Sequence, residues 1–286
     1  MFCYTQSMNW VLLVLLGSVF NSLKNVATRK VGAHIDVYTV AVASNLLMLP
    51  VLWLSVLLFN ESVPQAEFWR LMLLMLPLEM VVMLLFFKAL TSSKLSYSFP
   101  FVSFMPLFVA IGSYFILDEQ VSTMVYLGAG VIVAGAFLIN LKKDSSQADV
   151  RGIFYILGVA ALWGYLIPMG SLAVTYSSAQ LYPAIYFSLA TILFLPIFFI
   201  KRTTPLQLVV RNLPPFILIG ILFAFFQISN WYAYSVGPAT AISALAMISI
   251  PLTSIFDALY HKESISIQKV IATLVMTVGA VIIITG

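Results

Sequence analysis

Ten long apolar stretches follow one another along this chain, separated by short polar breaks. They run Trp10–Thr28, Val37–Phe59, Phe68–Leu90, Ser96–Leu117, Val121–Leu141, Gly152–Tyr176, Ala179–Ile200, Leu213–Val236, Ala239–Tyr260 and Ile267–Thr285. Each holds about 19 to 25 residues, enough at 1.5 Å per residue to cross roughly 30 Å of hydrocarbon. Open sheet edges cannot face lipid, and the runs are too long and continuous for barrel strands. The pattern therefore predicts an all-α membrane protein of ten transmembrane helices.

The pattern also repeats. Ala89, Glu119 and Gly135 recur 144 residues later as Ala233, Glu263 and Gly279, and Pro106 recurs one position off that register as Pro251. Five spans is an odd number, so a second copy must enter the membrane from the opposite side. Such inverted repeats mark transporters, with a substrate site near the midplane. The expected division is residues 1–141 for the first five-helix repeat, 142–151 for a cytoplasmic linker, and 152–286 for the inverted second repeat. The longest polar stretch, Lys142 to Asp149, lies in that linker.

Composition agrees with a lipid-facing surface. Apolar residues make up 62% of the chain and charged residues 8%, far too few charges for a water-soluble exterior. The net charge of +4 does not indicate nucleic acid, because the basic residues sit at span ends rather than in one patch. Thirteen of the 14 Lys and Arg residues fall in the loops joining spans 1–2, 3–4, 5–6, 7–8 and 9–10 or at the adjoining helix ends, leaving Arg70 alone on the other side. The positive-inside rule makes those loops cytoplasmic and puts both termini on the non-cytoplasmic side. Met1 to Asn9 has no basic leader region, so the first span is expected to act as its own targeting signal. The single Cys3 excludes an internal disulfide.

In three places the residues resemble a known group. Gly17-Ser18-Val19-Phe20-Asn21-Ser22-Leu23-Lys24 and Ala161-Leu162-Trp163-Gly164 open the two repeats. Phe87-Lys88-Ala89-Leu90 and Trp231-Tyr232-Ala233-Tyr234 end the third span of each. Pro106 to Asp118-Glu119-Gln120-Val121-Ser122, and Pro251 to Lys262-Glu263-Ser264-Ile265-Ser266, lead into a glycine-bearing last span. In order, spacing and duplication these resemble the drug/metabolite transporter superfamily, in particular its ten-span EamA-like members. The chain departs from that pattern in lacking the Trp before Gly17, and in placing Asp118 and Lys262 where the family has the Gly before Glu. The resemblance covers the whole chain and implies secondary transport of small polar or amphipathic metabolites, often export. The expected location is a bacterial inner membrane.

Glu79 is the sharpest candidate residue. It is the ninth of the 17 uninterrupted residues Leu71 to Phe87, about 13 Å of helix rise from Arg70. A carboxylate there costs a few kcal/mol, so such residues usually face a cavity and carry a proton or pair with a cation; a neutral, structurally bonded Glu is the alternative. Pro77, two residues earlier, loosens the backbone at that point. Lys24 and Asn21 share a face of span 1. Lys24 matches the family's lysine and is a candidate anion-binding or gating residue, although a lysine near a span end can also snorkel to the surface. Trp163, Tyr165 and Trp231, with Tyr232 and Tyr234, could stack on a ring or enclose a quaternary ammonium, or form interfacial belts; Tyr234, near a span end, suits a belt. Tyr97 and Phe101, spaced i and i+4, share a face of span 4. Gln227, Asn230 and Trp231 form an i, i+3, i+4 set that can bond a substrate or a neighbouring helix.

Glu119 and Glu263 are expected to cap the helix that follows each of them. Asp257 and His261 form a possible pH-sensitive pair at a helix end. Gly128, Gly130, Gly135 and Gly279 suit close helix packing. No cofactor motif, metal spacing or catalytic constellation is present in the sequence.

The leading reading is a secondary transporter of an amino acid or related amphipathic solute, working by alternating access between the two halves about a cavity lined by spans 1, 3, 4, 6, 8 and 9. Its partners are the small-molecule substrate, the bilayer and a proton or counter-substrate, and it acts as a monomer or weak dimer. The alternative is a transporter of choline-like organic cations held in an aromatic cage with Glu79 as counter-charge. A channel or a non-transporting scaffold is the reading from another class.

Overall fold

The structure is a computed structural model that describes residues 2–32, 34–59, 63–92, 99–120, 122–140, 150–261 and 267–285. In chain order its α-helices are α1 Phe2–Gly32, α2 Val37–Phe59, α3 Ala66–Ser92, α4 Met105–Leu117, α5 Thr123–Asn140, α6 Val150–Thr175, α7 Leu181–Lys201, α8 Leu206–Arg211, α9 Leu213–Val236, α10 Ala239–Ala246, α11 Ser249–His261 and α12 Ile267–Thr285, with a 3₁₀ turn at Phe99–Phe104 before α4. Among the described residues there is no strand. Among those residues, eight helical stretches are long and apolar enough to cross a membrane, and Phe101–Leu117 and Thr123–Leu138 are shorter apolar helices. Most of the expected linker, Tyr97 and Glu263 lie outside the described residues, as does the side chain of His261.

Two of the expected continuous spans are interrupted. In the stretch expected to begin at Ser96, the described residues are 3₁₀ over Phe99–Phe104 and α-helical only from Met105. The stretch Ala239–Tyr260 breaks at Met247–Ile248 between α10 and α11. Both breaks sit just before a proline, Pro106 or Pro251. Proline offers no N–H to the carbonyl four residues back. The carbonyl of Met247, denied a partner at Pro251, instead accepts from the N–H of Ile250 at 2.9 Å. The repeat has thus placed the same defect in both copies.

The main helix contacts cross between the repeats and come in symmetric pairs. α1 packs on α9 as α6 packs on α3; α1 packs on α11 as α6 packs on α4; α5 packs on α12, and α2 on α7. The α1–α9, α2–α9, α1–α11, α3–α6 and α4–α6 contacts define two four-span groups, each drawn from both halves of the sequence, with α2 on α7 and α10 on α4 as the main contacts between them. One contains α1, α2, α9 and the broken α10–α11; the other contains α3, α4, α6 and α7. Contacts at the helix ends agree with alternate crossing. At one end Arg29 pairs with Asp257, Lys30 bonds the Tyr260 hydroxyl at 3.0 Å, and the Gln268 amide bonds the Leu138 carbonyl at 2.6 Å. At the other, the Gln65 N–H donates to the Tyr176 carbonyl at 3.0 Å and the Trp10 ring abuts Gly237. The first set carries the basic residues and is called the basic end below.

The predicted glycine packing holds at three positions of four. A Cβ on Gly128 would lie 2.8 Å from the Gly279 carbonyl oxygen, one on Gly279 would lie 2.8 Å from that of Gly128, and one on Gly135 would lie 3.0 Å from that of Ala272. This is why α5 and α12 approach so closely. Gly130 has open space where its side chain would be and plays no part in that contact.

Candidate functional site

The buried centre of the molecule is built around Glu79, which is 7% exposed. It lies on α3 two residues after Pro77, whose missing N–H frees the Leu73 carbonyl one turn earlier. The Tyr186 hydroxyl on α7 donates to Glu79 Oε2 at 2.9 Å, and the Trp163 indole on α6 lies close enough to act on the carboxylate. No ion pair to Glu79 occurs among the described residues. A carboxylate in this position is held by neutral donors, the arrangement that leaves its charge uncompensated by the protein.

Aromatic rings continue from this carboxylate across the boundary between the two helix groups. Tyr186 stacks on Tyr182 with ring centres 5.4 Å apart, Tyr182 meets Trp231 of α9 edge-on at 4.4 Å, and Trp231 lies 5.1 Å from Tyr234. The space for this cluster depends on Gly170 of α6, where a Cβ would meet the Trp231 ring at 2.5 Å and the Tyr182 hydroxyl at 2.6 Å. Trp231 is 7% exposed, and its indole N–H has no acceptor among the described residues. A buried donor left in this way costs free energy that a ligand's acceptor can recover.

A second branch leads to Lys24. Tyr186 touches Phe187, Phe187 meets Phe223 of α9 at 5.9 Å, and Phe223 stacks on Phe226 at 6.3 Å. Lys24 Nζ stands 4.6 Å from the centre of the Phe223 ring and 6.0 Å from that of Phe226. Phe223 is the residue 144 positions after Glu79 and lies near the middle of α9. The ammonium therefore reaches inward along an aromatic face; the snorkelling alternative would turn it to the surface. The two repeats present a carboxylate at one position and a cation over an aromatic face at its symmetry mate.

The remaining sequence candidates divide. Asn21 donates to the Ser249 hydroxyl at 3.3 Å, and next to it the Ser22 hydroxyl donates to the Ser249 carbonyl at 2.9 Å, so α1 supports the break before α11. Gln227 is buried, and Asn230 lies close to the Tyr234 hydroxyl. Tyr165 is 46% exposed and stands apart from the cluster, because it falls on the outer face of α6. Phe101 belongs to the 3₁₀ turn, where an i, i+4 face does not apply, and packs on Phe104 and Phe137. Tyr97 lies outside the described residues. Tyr234, expected in an interfacial belt, is 4% exposed and belongs to the aromatic cluster.

Two central residues, Tyr182 and Tyr186, were missed by reading the sequence. Their i, i+4 spacing in an otherwise apolar stretch was the available signal, but it gave no reason to prefer them to the chain's other tyrosines. They bring α7 into the site, which the expected cavity lining omitted.

Glu119 differs from expectation in its partner. The backbone N–H groups of Ala239 and Thr240 donate to its two carboxylate oxygens at 2.8 and 3.1 Å. It therefore caps α10, a helix of the other repeat, while the helix that follows it in sequence, α5, receives Ser122, whose hydroxyl accepts from the Val125 N–H at 3.4 Å. Asp257, offered as the partner of His261, pairs with Arg29.

The family model described as the EamA-like transporter family matches residues 8–141 and again 150–285. No curated protein matches the chain. A solved crystal structure, 15% identical in sequence, superposes with a TM-score of 0.76 over 96% of this chain and 95% of its own, which shows the fold. The doubled match falls on the two sequence halves, α1 to α5 and α6 to α12, and the chain is an integral membrane protein that belongs to the EamA-like transporter family of the drug/metabolite transporter superfamily.

Proposed function

We propose that this transporter moves a small amphipathic solute bearing an ammonium group, of the amino-acid type, by alternating access in a ten-span fold, with the Glu79 carboxylate as the cation-binding or coupling residue. The observation that carries this reading is the buried Glu79 carboxylate, held by Tyr186, with the Trp163 indole nearby, and lacking a protein cation among the described residues. Lys24 on the Phe223 ring supplies a positive pole on the opposite helix group. The unpartnered Trp231 indole supplies a donor between them. A zwitterionic solute satisfies all three, and only at the boundary where the two groups must separate. The membrane is a bacterial inner membrane, with the basic end cytoplasmic, and the protein works as a monomer or weak dimer.

The contiguous rings of Tyr182, Tyr186, Trp231 and Tyr234 favour one further reading, a choline-like organic cation enclosed by aromatic faces with Glu79 as counter-charge. Counterflow in proteoliposomes separates the two: amino acids compete for uptake under the first reading and quaternary amines under the second. Under either, Glu79→Gln lowers transport on the order of tenfold or more, since a buried charge loses its partner. Normal flux with an unchanged pH dependence in Glu79→Gln would sink the role given to this residue.

A further inference from the structure

We propose that Glu119 and Asp36 are paired positioning residues, each latching the two helix groups together at one end of the molecule, so that releasing either one opens the site to that end alone. Glu119 follows α4 in one group, and its carboxylate takes the N–H groups of Ala239 and Thr240 at the start of α10 in the other. Asp36, in the link between α1 and α2, takes the N–H groups of Thr203 and Thr204, just after α7, on Oδ2 at 3.2 and 2.9 Å. Its own N–H returns a bond to the Thr204 hydroxyl at 2.9 Å. Each latch is thus one carboxylate on two consecutive backbone N–H groups of the opposite group. Bonds of this kind are stronger than neutral ones and are made or broken as a unit.

The two latches sit at opposite ends. Thr203 and Thr204 lie beside Lys201 and Arg202 at the basic end, whereas Ala239 follows Gly237, which abuts the start of α1 at the other. The residue 144 positions after Asp36 is Gln180, and it too bridges the groups at the end away from Asp36, donating to the Tyr232 hydroxyl at 2.7 Å. Between the latches the site is closed, with Glu79, Tyr182, Tyr186 and Trp231 all buried. The turn carrying Glu119 is shaped for the task. Asp118 adopts a left-handed conformation with φ 50°, and the N–H of Glu119 itself bonds the Ser113 carbonyl, which turns the chain back toward the opposite group.

Side-selective cysteine labelling tests this. In a Cys3→Ser background, Ser171→Cys reports the Glu119 end, since the Ser171 hydroxyl bridges the groups to the Tyr234 carbonyl at 3.0 Å. Val42→Cys reports the Asp36 end, since Val42 of α2 is buried against Phe194 and Phe198 of α7 in the opposite group. In lipid nanodiscs with a water-soluble maleimide, Glu119→Ala raises the labelling rate at position 171 on the order of tenfold and lowers it at 42, while Asp36→Asn does the reverse. Asn retains the cap that Asp36 Oδ1 provides to the Thr39 N–H at 3.0 Å, so Asp36→Asn removes the latch and spares α2. If Glu119→Ala yields no monodisperse protein, Glu119→Gln carries the same expectation at about threefold. Rates that rise together at both probes, or change at neither, would overturn the proposal in favour of a purely structural role. The measurement needs no solute, so its failure is distinct from failure of the substrate reading.

Discussion

At the scale of single residues, Asp118 connects the family resemblance to backbone physics. The family pattern has glycine before the glutamate, and here that position is left-handed, with φ 50° and ψ 34°. An L-residue there pays roughly 1–2 kcal/mol, which Asp and Asn partly recover through local hydrogen bonds. Asp118→Gly is therefore expected to leave thermal stability unchanged or raise it by up to about 1 kcal/mol, and Asp118→Val to lower it by about 1–2 kcal/mol. Denaturation midpoints of the purified protein check both, and a Val variant as stable as the parent would contradict the argument. The same scale shows what the sequence made legible in the site. Glu79 was visible because an intramembrane carboxylate is costly wherever it points. Lys24 and Trp231 were visible as types but not as directions, since neither span position nor spacing says whether a side chain faces a neighbour's ring or lipid. Tyr165 and Tyr234 came out reversed for that reason: depth along a helix was read, but rotation about its axis was not.

At the scale of elements, helix packing and helix breaks follow different rules. The α5–α12 contact rests on glycines that admit a facing backbone. Gly279→Ala places a Cβ 2.8 Å from the Gly128 carbonyl oxygen and 2.9 Å from the Ile132 nitrogen, neither of which can move without its helix. It is expected to destabilise by about 1–3 kcal/mol. Gly130→Ala, with open space around the new methyl, is expected to be neutral or to gain up to about 1 kcal/mol of helix propensity. A thermal-shift comparison of the two variants tests the assignment, and equal effects would refute it. Among the described residues, the eight helical stretches long enough to cross a membrane were legible from apolar length alone. The interruptions at Phe104 and Met247–Ile248 were not, although Pro106 and Pro251 were noted as repeat landmarks: other prolines, including Pro77 and Pro168, sit inside continuous helices. Whether a proline kinks a helix or ends it depends on what neighbouring helices offer the freed carbonyl. Here the carbonyl freed by Pro251, that of Met247, finds its donor in the Ile250 N–H at 2.9 Å, and the break is held from outside by Ser22 of α1, which donates to the Ser249 carbonyl from 227 residues away in sequence.

At the scale of the whole molecule, the inverted repeat does more than double a scaffold. Because α1 packs on α9 and α6 on α3, the four-span groups are mixed, and the sequence halves are interlocked. The placement of basic residues led to the expectation of an inverted second copy, but which helices would pair across copies depended on side-chain fit that periodicity does not encode. Under the proposed alternating access, the bonds that cross the mixed groups govern how the molecule opens, and for the Asp36 latch the effect of pH follows. Burial pushes the Asp36 carboxyl up, but hydrogen bonds from Thr204 and Thr39 outweigh it and hold the group at about 2, below the ordinary 3.8. A carboxyl with a depressed folded value contributes stability that is complete above the unfolded value and is lost as pH falls through the folded one. The stability difference between the parent and Asp36→Asn should therefore stay constant from about pH 8 to pH 5 and shrink only as pH falls from about 4 toward 2. His34 lines the cleft beside this latch, so the comparison is made in a His34→Gln background. Thermal unfolding across that pH range is the measurement. A difference that already closes between about pH 7 and pH 5 would mean that a group other than Asp36 holds the basic end shut.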